Sequence, residues 1–364
     1  MEICHFITSL GRGGAETMVS NIIENINDGE ISLKVCYLVE NHDLVNEVHD
    51  AGAETICFGG MNREDPKAHI KALQYFKSNS FDLIHAHLPH AQVTARLAKK
   101  LGFVNYVICT HHNLPDLYGT IPRKLERSSR KYDDKDVAVS KCVMNAYLTK
   151  GANPEKWTTI YNGIDVDEWY TQIKEAELPI INSKSTNVFV NIGRLIPEKG
   201  QLSLIEAFNL YNKDHGDSKL IIIGEGPQQA QLSSKIKTLK LEDNVVLKGS
   251  LPRKDIPKYL VAADAFVSTS RSEGFGLTII EAMVAKLPII ATDIPAVREV
   301  IQGYDCSILI NRNKPILMKQ AMEEITSSND LYSSCDRGYV ISKNKFDLEV
   351  CASEYIDLYK STIN

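Results

Sequence analysis

The sequence predicts an α/β chain built from two open, mostly parallel sheets with helices on both faces. Three observations carry that expectation. Short β-rich apolar runs alternate with longer amphipathic stretches almost throughout, the pattern of parallel strands joined by helical crossovers. At 364 residues the chain is long enough for two separate cores. The alternation also breaks once and then restarts.

In the first half, strands are expected at residues 3–8, 33–39, 55–58, 83–87, 106–110, 137–139 and 158–161, with helical patterns between them such as 15–26 and 91–101. The break follows Asn162-Gly163-Ile164-Asp165, and residues 171–186, polar, acidic and then Pro/Asn/Ser-containing, read as a linker. Strands resume at 188–192, 220–223, 245–247, 265–268, 288–291 and 307–310, with a helix over 203–211. The closing stretch 346–359 is an amphipathic helix with Phe346, Val350 and Ile356 among its apolar positions. Two such sheets create a cleft, and open α/β sheets bind ligands beyond the carboxyl ends of their strands.

Composition narrows the classes. A hydrophobic fraction of 43% with 24% charged residues is that of a soluble globular chain, and a net charge of −5 argues against bulk attraction to nucleic acid. Eight cysteines lie scattered without a C-x-x-C pair, so neither a disulfide framework nor a zinc site is expected, and a reducing cytoplasm is the natural compartment. The first residues lack a basic segment ahead of an apolar core, and no run approaches the roughly 20 apolar residues of a membrane span. Any membrane contact is therefore expected to be peripheral.

The strongest chemical signal is the run STSRSEGFGLTIIE from Ser268 to Glu281. A strand ends, a glycine-containing loop follows, and a helix starting near Phe275 offers free N–H groups to a phosphate. Glu273 lies in the loop. Glu281, about two turns into the helix, is a carboxylate among Ile279, Ile280, Met283 and Val284, able to accept two hydrogen bonds from a vicinal diol. Alone, it reads equally well as an exposed helix glutamate.

The second signal is NIGRLIPEKG from Asn191 to Gly200, where Arg194 and Lys199 follow a strand end. Arginine can fork two phosphate oxygens and lysine adds a compact charge, so together they can stabilise a departing diphosphate without a metal. Either alone is an ordinary surface cation after a turn. The glycine loops at Gly224-Glu225-Gly226-Pro227 and Gly249-Ser250 can be tight turns or backbone contacts to a base.

Near the N-terminus, Gly11-Arg12-Gly13-Gly14-Ala15-Glu16 joins the first strand to the first helix, and the N–H groups of Gly13 and Gly14 can reach an anion. Glu16 stands where a dinucleotide fingerprint requires its third glycine or alanine, which weakens a nicotinamide reading. His85, His87 and His90 cluster, and the i, i+2 spacing turns His85 and His87 to one face of a strand. No carboxylate or cysteine joins them at a recognisable ligand spacing, so a metal is not expected. Asp165-Val-Asp167 matches a D-x-D pattern formally, but a turn with a capping or solvated aspartate is the better reading. The basic run from Pro122 to Lys131 fits either a solvated helix face or a dock for an anionic lipid or phosphate-bearing acceptor.

These motifs resemble those of the family 4 glycosyltransferases, retaining enzymes of the GT-B fold, from Gly13-Gly14-Ala15-Glu16 to the closing helix. The resemblance implies two Rossmann-like domains facing a central cleft: 1–170 on the acceptor side, 171–345 binding the nucleotide sugar, and a helix in 346–364 crossing back to the first domain. It implies Arg194 and Lys199 on the donor diphosphate, Glu273 on the transferred sugar, and Glu281 on the ribose. Gly274, Phe275, Gly276 and Leu277 would wrap the phosphates and ribose, and Thr110-His111-His112-Asn113 places the cleft histidine at His112. The catalytic set is thus His112, Arg194, Lys199 and Glu273, with no metal and no cofactor. Substrates would be a nucleotide-diphosphate sugar, UDP favoured, and a glycan or lipid-linked acceptor of surface polysaccharide. The family usually carries glycine where Lys286 stands and another near Cys306, which bears on loop geometry. The rivals are a GT-B sugar-nucleotide epimerase, which would need no acceptor, and a non-catalytic partner subunit, against which the complete Arg194, Lys199, Glu273 and Glu281 set argues.

Overall fold

The computed structural model describes residues 1–11, 13–26, 28–179, 187–311, 314–328 and 334–364. They form two compact units: unit 1 is Met1–Gly163 with Leu348–Asn364, and unit 2 is Ile164–Asp347.

Unit 1 holds β1 (Glu2–Ile7), β2 (Ser32–Val39), β3 (Glu54–Gly60), β4 (Leu83–His87), β5 (Tyr106–His111), β6 (Lys135–Ala138) and β7 (Trp157–Thr159). They make one sheet in the order β3-β2-β1-β4-β5-β6-β7, parallel at every pairing. The central strands are buried on both faces because both are covered. Cys4 and Phe6 of β1 point to one side, where Phe6 packs edge-on against Phe58 and Phe76 at 6.1 and 5.1 Å. Ile3 points to the other, beneath Met18 and Ile22 of helix Gly14–Asn25 and Tyr355 and Tyr359 of helix Leu348–Ile363.

That final helix starts at Leu348, and its buried face is Leu348, Cys351, Ala352, Tyr355 and Tyr359. The expected apolar positions divide differently. Val350 is 36% exposed and Ile356 only partly buried, while Phe346 lies before the helix in unit 2, its ring 5.5 Å from that of Phe275. Two tyrosines, apolar in body and polar at the tip, supply packing that those three apolar positions do not.

Unit 2 holds β8 (Val188–Ile192), β9 (Lys219–Ile223), β10 (Val245–Leu247), β11 (Ala265–Ser268), β12 (Ile289–Thr292) and β13 (Ser307–Ile310), again all parallel, in the order β10-β9-β8-β11-β12-β13. Its core gathers Phe189, Phe208 and Tyr211 under the sheet. The helix expected over 203–211 runs Gln201–His215. Strand order reverses between β1 and β4 in unit 1 and between β8 and β11 in unit 2, the switch points at which such sheets bind ligands.

Two expectations change. The polar stretch from residue 171 begins inside a helix, Val166–Glu175, while 180–186 lie outside the described residues. Asp165 caps that helix by accepting from the Glu168 N–H at 2.8 Å, Val166 donates its N–H to Asp347, and the Trp169 indole donates to the Glu281 carbonyl at 3.1 Å. Residues 164–170 therefore sit in unit 2. Cysteine spacing gave no sign of a bridge, yet Cys306 and Cys335 are disulfide-bonded, with Cα atoms 5.2 Å apart. The pair is brought together by the fold, since 29 residues separate it in sequence. Among the described residues, no helix is long and apolar enough to cross a membrane.

Candidate functional site

At the switch point of unit 2, β8 runs into Gly193 and Arg194. The chain passes so close to the β9 loop that a Cβ on Gly224, at φ +141°, would lie 2.1 Å from the Gly193 carbonyl oxygen. Gly200, at φ +69°, lets the next turn lie on the β11 loop, where a Cβ would stand 2.3 Å from the Thr269 carbonyl oxygen. Thr269 locks that approach by donating its hydroxyl to the Lys199 carbonyl at 2.8 Å. As a result Lys199 Nζ pairs with Glu273 Oε1, which also accepts from the Ser270 hydroxyl at 2.6 Å. The pair is largely shielded, with side chains 21% and 14% exposed. Arg194 is exposed and makes no ion pair among the described residues; its carbonyl accepts from the Gln201 amide.

The loop Gly274–Gly276 leads into helix Leu277–Val284, whose N-cap, Gly276 at φ +115°, leaves the first N–H groups without a side-chain cap. Phe275 is buried against Phe346 and so acts as an anchor for the loop. The helix starts at Leu277 rather than near Phe275, which puts Glu281 about one turn in, not two. Glu281 is buried, and desolvation raises its pKa against the opposing pull of Arg253, whose Nη2 stands 3.4 Å from Oε1. Arg253 also lies over the Trp169 ring at 5.3 Å. Neither residue was singled out from the sequence, and nothing in their local pattern marks them; they meet Glu281 only through the fold.

The two departures from the family pattern have visible settings. Lys286 follows the helix with φ +58°, a left-handed position where glycine is at ease, and its Nζ pairs with Asp336 at 2.6 Å. Cys306 is buried in the disulfide just before β13.

In unit 1, Gly13 is the N-cap of helix Gly14–Asn25 and a Cβ there would meet the Glu16 carboxylate at 2.3 Å, whereas one on Gly14 would meet nothing within 4 Å; Arg12 lies outside the described residues. Beyond the carboxyl end of β5, His112 is 8% exposed, and its Nε2 hydrogen-bonds His87 Nδ1 at 3.1 Å. Burial lowers the pKa of His112 to about 3. His85 and His87 do share a face, and His5 of β1 joins them; nitrogens of this trio lie within 4.8 Å of one another. His5 was not singled out from the sequence, because 80 residues separate it from His85. His90 lies apart, near Glu64. His111, next to His112 in the sequence, instead contacts Asp136 at 2.8 Å, beside Arg96, which is fully buried and grips Asp133 with both Nε and Nη2. Asp167 takes Tyr339 and Lys343 as partners within unit 2, so the D-x-D aspartates serve a cap and a surface network.

Two doubly wound parallel units, each with glycine-lined loops at its strand-order reversal and one carrying paired cations and carboxylates there, define the class: GT-B-fold, nucleotide-sugar-dependent transferases. Family comparison agrees. Residues 12–168 match the model described as Glycosyltransferase Family 4, and residues 174–338 match Glycosyl transferases group 1. The chain belongs to the family 4 glycosyltransferases. Over 84% of its length it is 26% identical to the UDP-Gal:alpha-D-GlcNAc-diphosphoundecaprenol alpha-1,3-galactosyltransferase of Escherichia coli, of which 82% is covered. It is 28% identical to the N-acetyl-alpha-D-glucosaminyl L-malate synthase of Bacillus anthracis, over 65% of this chain and 64% of that one. In fold it resembles Anabaena HepE in complex with UDP-glucose, with a TM-score of 0.84 at 21% identity, covering 99% of this chain and 100% of the other.

Proposed function

We propose that this glycosyltransferase moves a hexose or N-acetylhexosamine, with retention of anomeric configuration, from a nucleotide-diphosphate sugar, UDP favoured, to a glycan or lipid-linked acceptor of surface polysaccharide. The observation that carries the reading is the Lys199–Glu273 pair, held by Gly200 and Thr269 beyond the reversal between β8 and β11, with exposed Arg194 on the same β8 loop.

Lys199 and Arg194 take the diphosphate. Lys199 then shares its charge between phosphate and Glu273, which stays beside the transferred sugar. The N–H groups from Gly274 to Leu277 meet phosphate and ribose, and Glu281 turns from Arg253 to accept from the ribose diol. Gly13 and Gly14 offer backbone N–H groups to an anionic substrate group, and His112 orients the sugar through one hydroxyl. Departure of the diphosphate leaves an oxocarbenium-like sugar, and the same phosphate accepts the acceptor's proton on the face it has just left. No second carboxylate at nucleophile spacing enters the scheme.

Family 4 transferases generally need no metal. Turnover here is expected to persist in EDTA, and loss restored by manganese or magnesium would overturn metal independence. Peripheral membrane contact is proposed for helix Thr120–Ser129, where Arg123, Lys124 and Arg127 line a cavity of about 380 Å³ and Ile121 and Leu125, one turn apart, are 72% and 50% exposed. Sedimentation with anionic vesicles tests it. The main reading is tested by screening sugar nucleotides for release of UDP or GDP in the presence of lipid-linked acceptors. Conversion of a sugar nucleotide to an isomer without acceptor would replace it with an epimerase.

A further inference from the structure

His112 does not stand alone. Its Nε2 meets His87 Nδ1 at 3.1 Å; His87 Nε2 meets His5 Nδ1 at 3.2 Å; His5 Nε2 meets the Tyr359 hydroxyl at 3.2 Å. The same hydroxyl meets His85 Nδ1 at 2.7 Å, and His85 Nε2 meets the Thr110 hydroxyl at 2.6 Å. One line of hydrogen bonds therefore runs from helix Leu348–Ile363 through β1 and β4 to the end of β5. His5, His85 and His87 have no exposure, and His112, at 8%, is where the line approaches the surface.

The rings are neutral: burial holds His5 and His112 at about pKa 3 and His85 and His87 well below 6.5. A neutral imidazole carries one proton, so one nitrogen donates and the other accepts. Each N···N contact must also hold one proton, so the three rings from His5 to His112 can be polarised in only two ways, and the partner of His5 Nε2 chooses between them. Tyr359 makes that choice. Its 2.7 Å contact with His85 has the length typical of a hydroxyl donating, and its 3.2 Å contact with His5 that of a ring N–H donating to oxygen. With the phenol proton directed to His85, His5 donates from Nε2, His87 from Nε2 and His112 from Nε2. His112 Nδ1 is left with its lone pair. That atom is buried and has no partner among the described residues, and an orphan acceptor is more easily tolerated than an orphan N–H.

We propose that Tyr359 fixes the tautomer of His112 through His5 and His87, so that His112 meets its substrate with an unprotonated Nδ1, as an acceptor for a sugar hydroxyl. Tyr359, His5 and His87 are positioning residues, and the substrate end rests on the reading of His112 given above. The hydrogen-bonded line also accounts for the three-histidine cluster without a metal ion.

The test is long-range ¹H–¹⁵N NMR of the histidine rings in the full chain. The expected spectrum has His112 in the Nε2–H form, and an Nδ1–H form in the wild type overturns the proposal whether or not any variant folds. Tyr359→Phe removes the deciding hydroxyl. It is expected to give mixed His112 tautomers and to lower kcat/KM roughly tenfold, the scale of one hydrogen bond. Tyr355→Phe is the control: its hydroxyl touches Thr110 at 3.3 Å, on the far side of His85, so the His112 signal should not move. Equal effects of the two variants on that signal, or a pure Nε2–H form in Tyr359→Phe, overturn the relay. So does one equivalent of zinc retained through dialysis, which would make the histidines ligands. Unchanged turnover in His112→Ala would remove the substrate end alone, because the tautomer measurement decides the relay independently of activity.

Discussion

The two switch points solve the same geometric problem with different materials. In unit 2 the proposed donor-binding groups lie on short loops a few residues after their strands: Arg194 and Lys199 follow β8, and Glu273 follows β11. Glycines at 200 and 224 bring backbone against backbone, with Arg194 exposed and the Lys199–Glu273 pair largely shielded but within reach of solvent. In unit 1 the corresponding region is a polar interior. Four histidines and Tyr359 hydrogen-bond to one another, Tyr355 joins them only through Thr110, and beside them a fully buried arginine holds two carboxylates. One region presents charge; the other holds the shape and protonation of a single ring. The cost of disturbing them should differ accordingly.

Acid should separate them most. The buried rings of His5, His111 and His112 ionise near pH 3 in the folded chain against an ordinary 6.5, and His85 and His87 also lie well below it. As pH falls below about 6.5 the unfolded chain takes up protons that the folded chain refuses, so stability is lost on acidification, by up to ~1.4 kcal/mol per pH unit for each ring. Hydrogen exchange at pH 5 should show unit 1 opening while unit 2 stays protected, and equal opening of both units would erase the distinction.

Breaking the buried ion pair comes next. Arg96→Met leaves Asp133 without its partner and should cost about 3–5 kcal/mol, read by denaturant unfolding. A loss below ~1 kcal/mol would mean that the network is dispensable. In unit 2, Arg194→Ala and Lys199→Ala should instead lower turnover by roughly 10²–10³ with an unchanged melting temperature. Activity within a few-fold of wild type in both would remove the diphosphate assignment. The smallest effect is expected at Lys286→Gly. Relief of a left-handed lysine should outweigh an exposed ion pair with Asp336 and raise stability by about 0.5–1 kcal/mol.

The same contrast explains what the sequence made legible. β4, β8, β10, β11 and β13 have the limits expected, because apolar runs bounded by turn residues are local signals. The Arg194–Lys199 and Glu273–Glu281 stretches stood out for the same reason. Arg253 and Trp169 did not, since their link to Glu281 exists only in three dimensions. Tyr359 and His5, 354 residues apart, carry no shared pattern at all, and the apolar positions Phe346, Val350 and Ile356 mark the helix without marking its tyrosines. The Cys306–Cys335 pair was hidden in the same way.

One feature of the connectivity bears on how the chain matures during synthesis. Unit 2 is a continuous stretch, whereas unit 1 leaves off at Gly163 and is completed only by Leu348–Asn364. Domains usually fold in the order in which they leave the ribosome. Here the earlier-made sheet must wait, with the cluster of Ile3, Leu83 and Ile108 only partly covered by Met18 and Ile22, until Tyr355 and Tyr359 have been translated after the whole of the later one. A nascent chain stalled before residue 348 would thus present a finished unit 2 tethered to an open, chaperone-accessible unit 1, and the histidine line would close last.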